Sequence, residues 1–492
     1  MEYDARSTTH PIQQPIANEA EANDAFDDIT YQKGQQFIRM LESFLGPDVF
    51  RDGIRRYIAD HKYSSTTTAD LWAALSGASG KPVNEVATGW TEQPGFPIVK
   101  ARRDEGGKVG LFQERFVVNY KNPRPLEWKI PLTYGLLGQA PSSKLMAGKS
   151  DVLEDIAADQ AFKLNIDDAG FYRVQYDPKS WDQLVGVLDQ LSLADRVNLL
   201  SDTWALVQAN RAPLATFIRL VSELPSTIEL PQWDQVMTAF DYIDRLLVGR
   251  PEREKFQQYA RSVLRPVFDR VAWDAKADEA TNTATLRGNL IASLGKLNDP
   301  DVISGVRERF QKSVDEGQAI PPDLRHSVLA VVGQNADGAT WDKLHDVGSK
   351  TTVLAEKQDY YDALAYSRDP KLIQRTLALA LTDELPASSA AYLPGLVSRE
   401  SGHPELAWDF ARANMKALLA KTDATTFDSY AAGYFTFFSD SERSSELKSY
   451  AKANLPATSA KEVAKVVDEV DFRTQFKQRI ISQLETALQA NE

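Results

Sequence analysis

Apolar positions along the chain change their period twice. Between about residues 26 and 95 they follow a helix: Phe37, Met40, Leu41, Phe44 and Leu45 recur at i, i+3, i+4, i+7 and i+8. Gly46-Pro47 stops that stripe, and Phe50, Ile54, Tyr57 and Ile58 start a second one. Thr67 followed by Asp70 predicts a capping box that opens a third helix through Leu71, Trp72 and Leu75. Gly80-Lys81-Pro82 ends it, and Gln93-Pro94-Gly95-Phe96-Pro97 marks a boundary.

From about 98 to 177 the period is two. Trp128, Ile130, Leu132, Tyr134 and Leu136 alternate with Lys129, Pro131, Thr133 and Gly135. Phe162, Leu164 and Ile166 alternate with polar neighbours. After the turn Asp167-Asp168-Ala169-Gly170, so do Tyr172, Val174 and Tyr176. Short strands with turn signals predict a small antiparallel β-sandwich with one buried face per sheet. From about 178 onward the helical period returns, in segments such as Leu193–Ala209, Glu279–Leu297 and Ala460–Gln489. Breaks fall at Asn298-Asp299-Pro300, Pro321-Pro322-Asp323 and Gly402-His403-Pro404. Paired helices at this spacing predict a large HEAT- or armadillo-like α-solenoid with a concave surface. The fold class is therefore multidomain and mainly α.

Composition narrows the chemistry. The 492 residues carry 56 Lys and Arg against 69 Asp and Glu, a formal net charge of −13. So acidic a surface repels phosphate backbones and anionic lipid, which disfavours nucleic-acid and membrane partners. There is no cysteine, hence no disulfide, thiolate nucleophile or Cys-ligated metal. No apolar run reaches the ~18 residues of a membrane span. The polar start, MEYDARSTTHPIQQ, has no signal-peptide core and reads like the middle of a longer sequence. The expectation is a soluble protein, cytoplasmic in the first instance, with export as the alternative.

The five histidines, His10, His61, His326, His345 and His403, include no i,i+4 pair of the kind zinc enzymes place on one helical face. Read from the residues, they are surface or capping histidines. No glycine cluster forms a phosphate loop, and no Gly-x-Ser-x-Gly elbow is present. The carboxylate pairs Asp27-Asp28 and Asp167-Asp168 suit turns and caps better than acid–base catalysis. These observations describe a large multidomain protein and identify no enzyme.

One stretch carries more: STTHPI, AFDDITYQKGQQFIRMLESFLG, HKYSSTTTADLWAALSGASGKPV and GWTEQPGFPIV, in that order. It resembles the second half of the thermolysin-like catalytic domain of the M1 zinc aminopeptidases, the family of aminopeptidase N and puromycin-sensitive aminopeptidase. NIDDAGFYRVQYD at 165–177 is similar to the motif closing that family's β-sandwich. LSLADRVNLLSDTWAL and HPELAWDFARAN resemble the C-terminal helical domain of the endoplasmic-reticulum aminopeptidases. The resemblance implies three domains: 1–97, the helical remnant of the catalytic domain; 98–177, the β-sandwich; and 178–492, the C-terminal helical domain.

The family's His-Glu-x-x-His and Gly-x-Met-Glu-Asn motifs occur nowhere in the 492 residues. The resemblance therefore implies the C-terminal part of such an enzyme. The implied partners are peptide substrates and an N-terminal catalytic half, in cis or as a separate chain. No cofactor is expected in this chain; zinc belongs to the intact family enzyme. In FDDITYQKG, Tyr31 matches the family tyrosine that hydrogen-bonds the oxyanion, and Phe26 matches an aromatic of the substrate cleft. By the residues alone, Tyr31 is an amphipathic tyrosine near a helix start. Lys33, Arg39, Arg473 and Arg479 read as solvated or salt-bridged charges, although arginine also suits a substrate carboxylate. The chain is expected to be inactive alone. The competing readings are a non-catalytic peptide-binding or protein-interaction scaffold built on the helical array and an unrelated cryptic enzyme.

Overall fold

Phe37, Met40, Leu41, Phe44 and Leu45 form the buried face of α1 (Gly34–Leu45), which continues a single π-helical turn at Ile29–Lys33. Gly46, at φ +88°, ends α1, and Pro47 opens α2 (Pro47–His61) with its φ already helical. The Thr67–Asp70 capping box forms and starts α3 (Thr68–Ser79); α4 (Val83–Thr91) completes the N-terminal helices. This computed structural model describes residues 1–16, 22, 25–104, 106–154, 156, 160–423 and 426–489. It divides into two units, Met1–Pro225 and Ser226–Glu492.

Seven strands follow in the first unit: β1 (Pro97–Arg103), β2 (Val109–Arg115), β3 (Ile130–Leu136), β4 (Ser142–Met146), β5 (Ser150–Leu153), β6 (Phe162–Leu164) and β7 (Arg173–Tyr176). They form one sheet in the order β5-β2-β1-β7 and another in the order β4-β3-β6. Pairing is antiparallel except between β1 and β7, which run parallel with Ile98 beside Arg173 and Ala101 beside Tyr176. The parallel pair arises because the chain leaves β6 in one sheet and enters β7 in the other through the turn at Ile166–Asp168.

One core runs through the helices and both sheets. Phe37 stacks on Trp90 (6.2 Å), Trp90 meets Trp128 and Phe171, and Phe171 meets Phe96, which lies on Phe116. The boundary signal at 93–97 is thus a turn in the chain across which the core is continuous. Ile98 and Val99 are both fully buried, so the start of β1 departs from the one-buried-face pattern. Helices α5 (Pro178–Val185), α6 (Leu193–Gln208) and α7 (Leu214–Ser222) complete the unit, and Ala205 and Leu206 of α6 join the same core.

The second unit is helical throughout its described elements. They are α8 (Leu230–Leu246), α9 (Glu252–Val271), α10 (Thr281–Lys296), α11 (Pro300–Asp315), α12 (Pro322–Gln334), α13 (Gly338–Lys350) and α14 (Leu354–Ala365). Then come α15 (Pro370–Leu379), α16 (Ala387–Glu400), α17 (Pro404–Leu419), α18 (Phe427–Gly433), α19 (Ser441–Asn454) and α20 (Ala460–Gln489). Alternate helices stack in a row: α8 on α10, α10 on α12, α12 on α14 and α14 on α16. Gly295 and Gly333 allow the closest approaches, since a Cβ at Gly333 would lie 1.9 Å from the Ala363 carbonyl oxygen. Ion pairs tie the row at the ends of α8, α10 and α16, where Lys296 lies 3.2 Å from Asp241 and 3.0 Å from Glu400. Among the described residues, no helix is long and apolar enough to cross a membrane.

Candidate functional site

The π-helical turn before α1 presents Tyr31, and the bend that precedes it presents Phe26. Both rings face solvent, at 60% and 70% exposure, with centroids 6.0 Å apart. The Tyr31 hydroxyl makes no hydrogen bond among the described residues. An exposed aromatic pair contributes little to a core.

The backbone beneath the pair is held from both sides. Asp27 Oδ1 accepts hydrogen bonds from the Ile29 and Thr30 amides, each at 3.0 Å, and the Tyr31 amide donates to the Asp27 carbonyl at 3.1 Å. The other carboxylate oxygen of Asp27 lies 2.5 Å from His10 Nε2, and His10 Nδ1 lies 2.8 Å from the Pro11 carbonyl oxygen. Asp27 is therefore a capping carboxylate, one of the two roles its sequence context suggested, and His10 orients it.

On the other side, Lys33 turns inward. Its ammonium lies 3.1 Å from Asp4 Oδ2 and donates to the carbonyls of Gly95 (2.8 Å) and Gln93 (3.3 Å). Asp4 Oδ1 in turn accepts from the Gly95 amide at 2.9 Å and from the Thr9 hydroxyl. Burial pushes the Lys33 ammonium below its ordinary pKa, and the Asp4 charge pulls the other way. Lys33 is thus the salt-bridged kind of charge, fixed in the interior.

Arg39, further along α1, donates to the Asp167 carbonyl at 2.8 Å, and Gln36 donates to that of Asp168 at 2.6 Å. These contacts fasten α1 to the NIDD turn. Asn165, Asp167 and Asp168 all have positive φ, the left-handed conformation that Asn and Asp tolerate best. Helix α6 clasps the turn from the other side: Asp195 Oδ1 accepts from the Asp167 amide (2.9 Å), and Asn198 donates to Asp168 (2.8 Å). Buried Lys163 donates to Asn198 Oδ1 and to the Leu164 carbonyl, both at 2.6 Å. Asp202 accepts from Arg173 and from the Val174 amide, each at 3.0 Å. Asp167, exposed, and Asp168, half-buried, therefore belong to a polar joint between the strands and α6. On the last helix, Arg473 pairs with Glu469 at 2.6 Å and lies over the Tyr242 and Phe437 rings, and Arg479 lies 5.1 Å over Phe476.

Sequence reading missed the anchoring pair Asp4 and Lys33, because a lysine between polar neighbours carries no burial signal. The one available clue was helical spacing: Lys33 lies four residues before Phe37 and so shares its buried face.

Among the described residues no three His, Asp or Glu side chains converge as a metal site needs. His10, His326, His345 and His403 lie beside Asp27, Asp359, Glu384 and Glu405 respectively, and His61 beside the Tyr57 ring.

Known proteins resemble the chain along nearly its whole length. The family described as Peptidase family M1 domain matches residues 1–90, and the one described as ERAP1-like C-terminal domain matches residues 161–471. Aminopeptidase M1 of Arabidopsis thaliana is 31% identical over 436 residues, 83% of this chain and 49% of the plant protein. Aminopeptidase M1-A of Oryza sativa subsp. japonica is 28% identical over 493 residues, 97% of this chain and 56% of its own length. Aminopeptidase 2 of Candida albicans is 28% identical over 424 residues, 84% of this chain and 46% of its own length. The chain spans about half the length of these curated relatives.

Proposed function

Because the chain belongs to the peptidase M1 family and carries its ERAP1-like C-terminal domain, we propose that it forms the C-terminal part of a metalloaminopeptidase that removes N-terminal residues from peptides. In this reading residues 1–97 complete the catalytic domain, 98–177 are the sandwich, and 178–492 are a HEAT- or armadillo-like array enclosing the substrate. The stacking of alternate helices from α8 to α16 supports that last assignment.

The observation that carries the proposal is the presentation of Tyr31. Tyr31 is exposed and its hydroxyl makes no hydrogen bond among the described residues, while its backbone is fixed by the Asp27 cap and the Lys33 anchor. A donor held still before the reaction needs no reorganisation when charge develops on a carbonyl oxygen, and such donors lower a barrier by ~3–4 kcal/mol. Tyr31 is the oxyanion donor in this account, and Phe26 beside it is part of the cleft wall that receives the peptide. Neither the zinc ligands nor the group that binds the substrate's amino terminus comes from these 492 residues, so the chain alone is inactive.

The test is hydrolysis of aminoacyl fluorogenic amides by the purified chain, alone and co-expressed with any HExxH-encoding segment found upstream of its reading frame. The expected result is activity only in combination. Chelator-sensitive hydrolysis by the 492 residues alone would overturn the proposal. Absence of any such segment would favour a non-catalytic peptide-binding scaffold.

A further inference from the structure

A groove of about 610 Å³ lies along β2 and the loop at 117–127, within the range of ~300–1,000 Å³ typical of ligand sites. Its charge runs against that of the chain. Five cations line it against two carboxylates, Glu114 and Glu127, in a protein whose net charge is −13. Glu114 is already engaged, because Lys100 (2.9 Å) and Arg211 (2.5 Å) both pair with it. Burial alone would raise the Glu114 pKa, but hydrogen bonds from those two cations hold it below the ordinary value.

Of the other three cations, Arg115 interacts electrostatically with Asp4, and two have no acidic partner among the described residues. Arg124 and Lys149 are exposed, and among the described residues their side chains make no ion pair or hydrogen bond. Arg115 is only 8% exposed and lies 5.5 Å over the Tyr120 ring; its Nε has no acceptor. Phe112, 47% exposed, adds an apolar surface to the same groove.

We propose that this groove binds a short acidic peptide segment, its carboxylates meeting Arg124 and Lys149 and one apolar side chain resting on Phe112. Arginine's planar fork matches a carboxylate in two parallel hydrogen bonds. A long polyanion or an anionic bilayer fits less well, because it would extend beyond the groove onto a surface of the opposite tendency. The inference is independent of the peptidase reading, since Tyr31 and Phe26 line no part of this groove.

The test uses the full chain and a fluorescein-labelled hexapeptide of Asp and Glu with one central Leu, acetylated and amidated at its ends. Blocked ends keep the probe from being read as an aminopeptidase substrate. Anisotropy should show saturable binding that weakens by about tenfold between about 50 and 300 mM NaCl. Arg124→Glu with Lys149→Glu should lower affinity by about tenfold or more, and Phe112→Ala by a few-fold. Lys371→Glu, a charge change in the other unit, should leave affinity within about twofold. Circular dichroism would confirm that each variant is folded. No saturable binding, or equal binding by the double variant, would overturn the proposal. Stronger competition by phosphatidylserine vesicles or polyuridylate than by unlabelled peptide would overturn its assignment to acidic peptides.

Discussion

Lys33 and Asp4 form an ion pair 3.1 Å apart, each side chain with 1% of its surface exposed, two residues beyond the exposed ring of Tyr31. One turn of chain thus carries a fully buried charge and an exposed aromatic ring. The pair also ties the first residues of the sequence to the Gln93–Gly95 turn. Asp4→Ala would leave the ammonium buried among carbonyls, and removing one partner of a buried pair costs ~3–5 kcal/mol. Hydrogen exchange across α1 should accelerate accordingly. Asp4→Ala combined with Lys33→Met should cost less than the sum of the single changes. Additive losses would show that the two side chains act independently.

The joint around Asp202 makes stability depend on pH. Burial raises this carboxyl to about 6 against 3.8 when unfolded, with Arg173 and then Lys163 opposing the rise. Between those values the folded state binds more protons than the unfolded one, so the group's contribution is present at low pH and is lost as pH rises through about 6. The span corresponds to about 3 kcal/mol. The stability difference between wild type and Asp202→Asn, followed by exchange in α6, should fall by that order between pH 4 and 6.5. A flat difference would place Asp202 among ordinary carboxylates.

Two glycines in helix interiors should respond to alanine with opposite signs. Gly77 in α3 has nothing within 4 Å of an added Cβ, so Gly77→Ala should gain up to ~1 kcal/mol from helix propensity. At Gly333 the same gain meets a Cβ 1.9 Å from the Ala363 oxygen, a contact backbone atoms must move to relieve. Gly333→Ala should therefore destabilise the second unit by a few kcal/mol, on the scale of overpacking. Thermal unfolding distinguishes the two. A neutral Gly333→Ala would mean that α12 and α14 lie further apart than described.

Periodicity disclosed several elements but not β1, β2 or α4, although Val99, Leu111 and Trp90 are buried in them. The Thr67–Asp70 box forms, and the helix expected at Leu193–Ala209 runs from Leu193 to Gln208. It did not disclose β4 and β5, whose Ser-Ser-Lys and Ser-Asp sequences are held by ladder hydrogen bonds and not by a buried stripe. Nor does any local pattern announce that β7 runs parallel to β1, because that depends on which sheet the chain re-enters after Asp168. At the candidate site, Tyr31 and Phe26 were legible only through resemblance to a family. Their supports were hidden for a different reason: Asp4 and Lys33 lie 29 positions apart in sequence, and burial of a charge shows only in three dimensions.

The central claim is that Tyr31 donates to the oxyanion formed at the scissile carbonyl. Tyr31→Phe removes the hydroxyl and keeps the ring, and the exposed ring supports no packing that the change would disturb. In the proposed enzyme, assembled with an HExxH-bearing segment, kcat for an aminoacyl amide should fall ~10²–10³-fold, about 3–4 kcal/mol of transition-state stabilisation. KM should move far less, because the bond strengthens only as charge develops. That split between kcat and KM is the result the account predicts; an unchanged kcat in the folded Tyr31→Phe enzyme would contradict it.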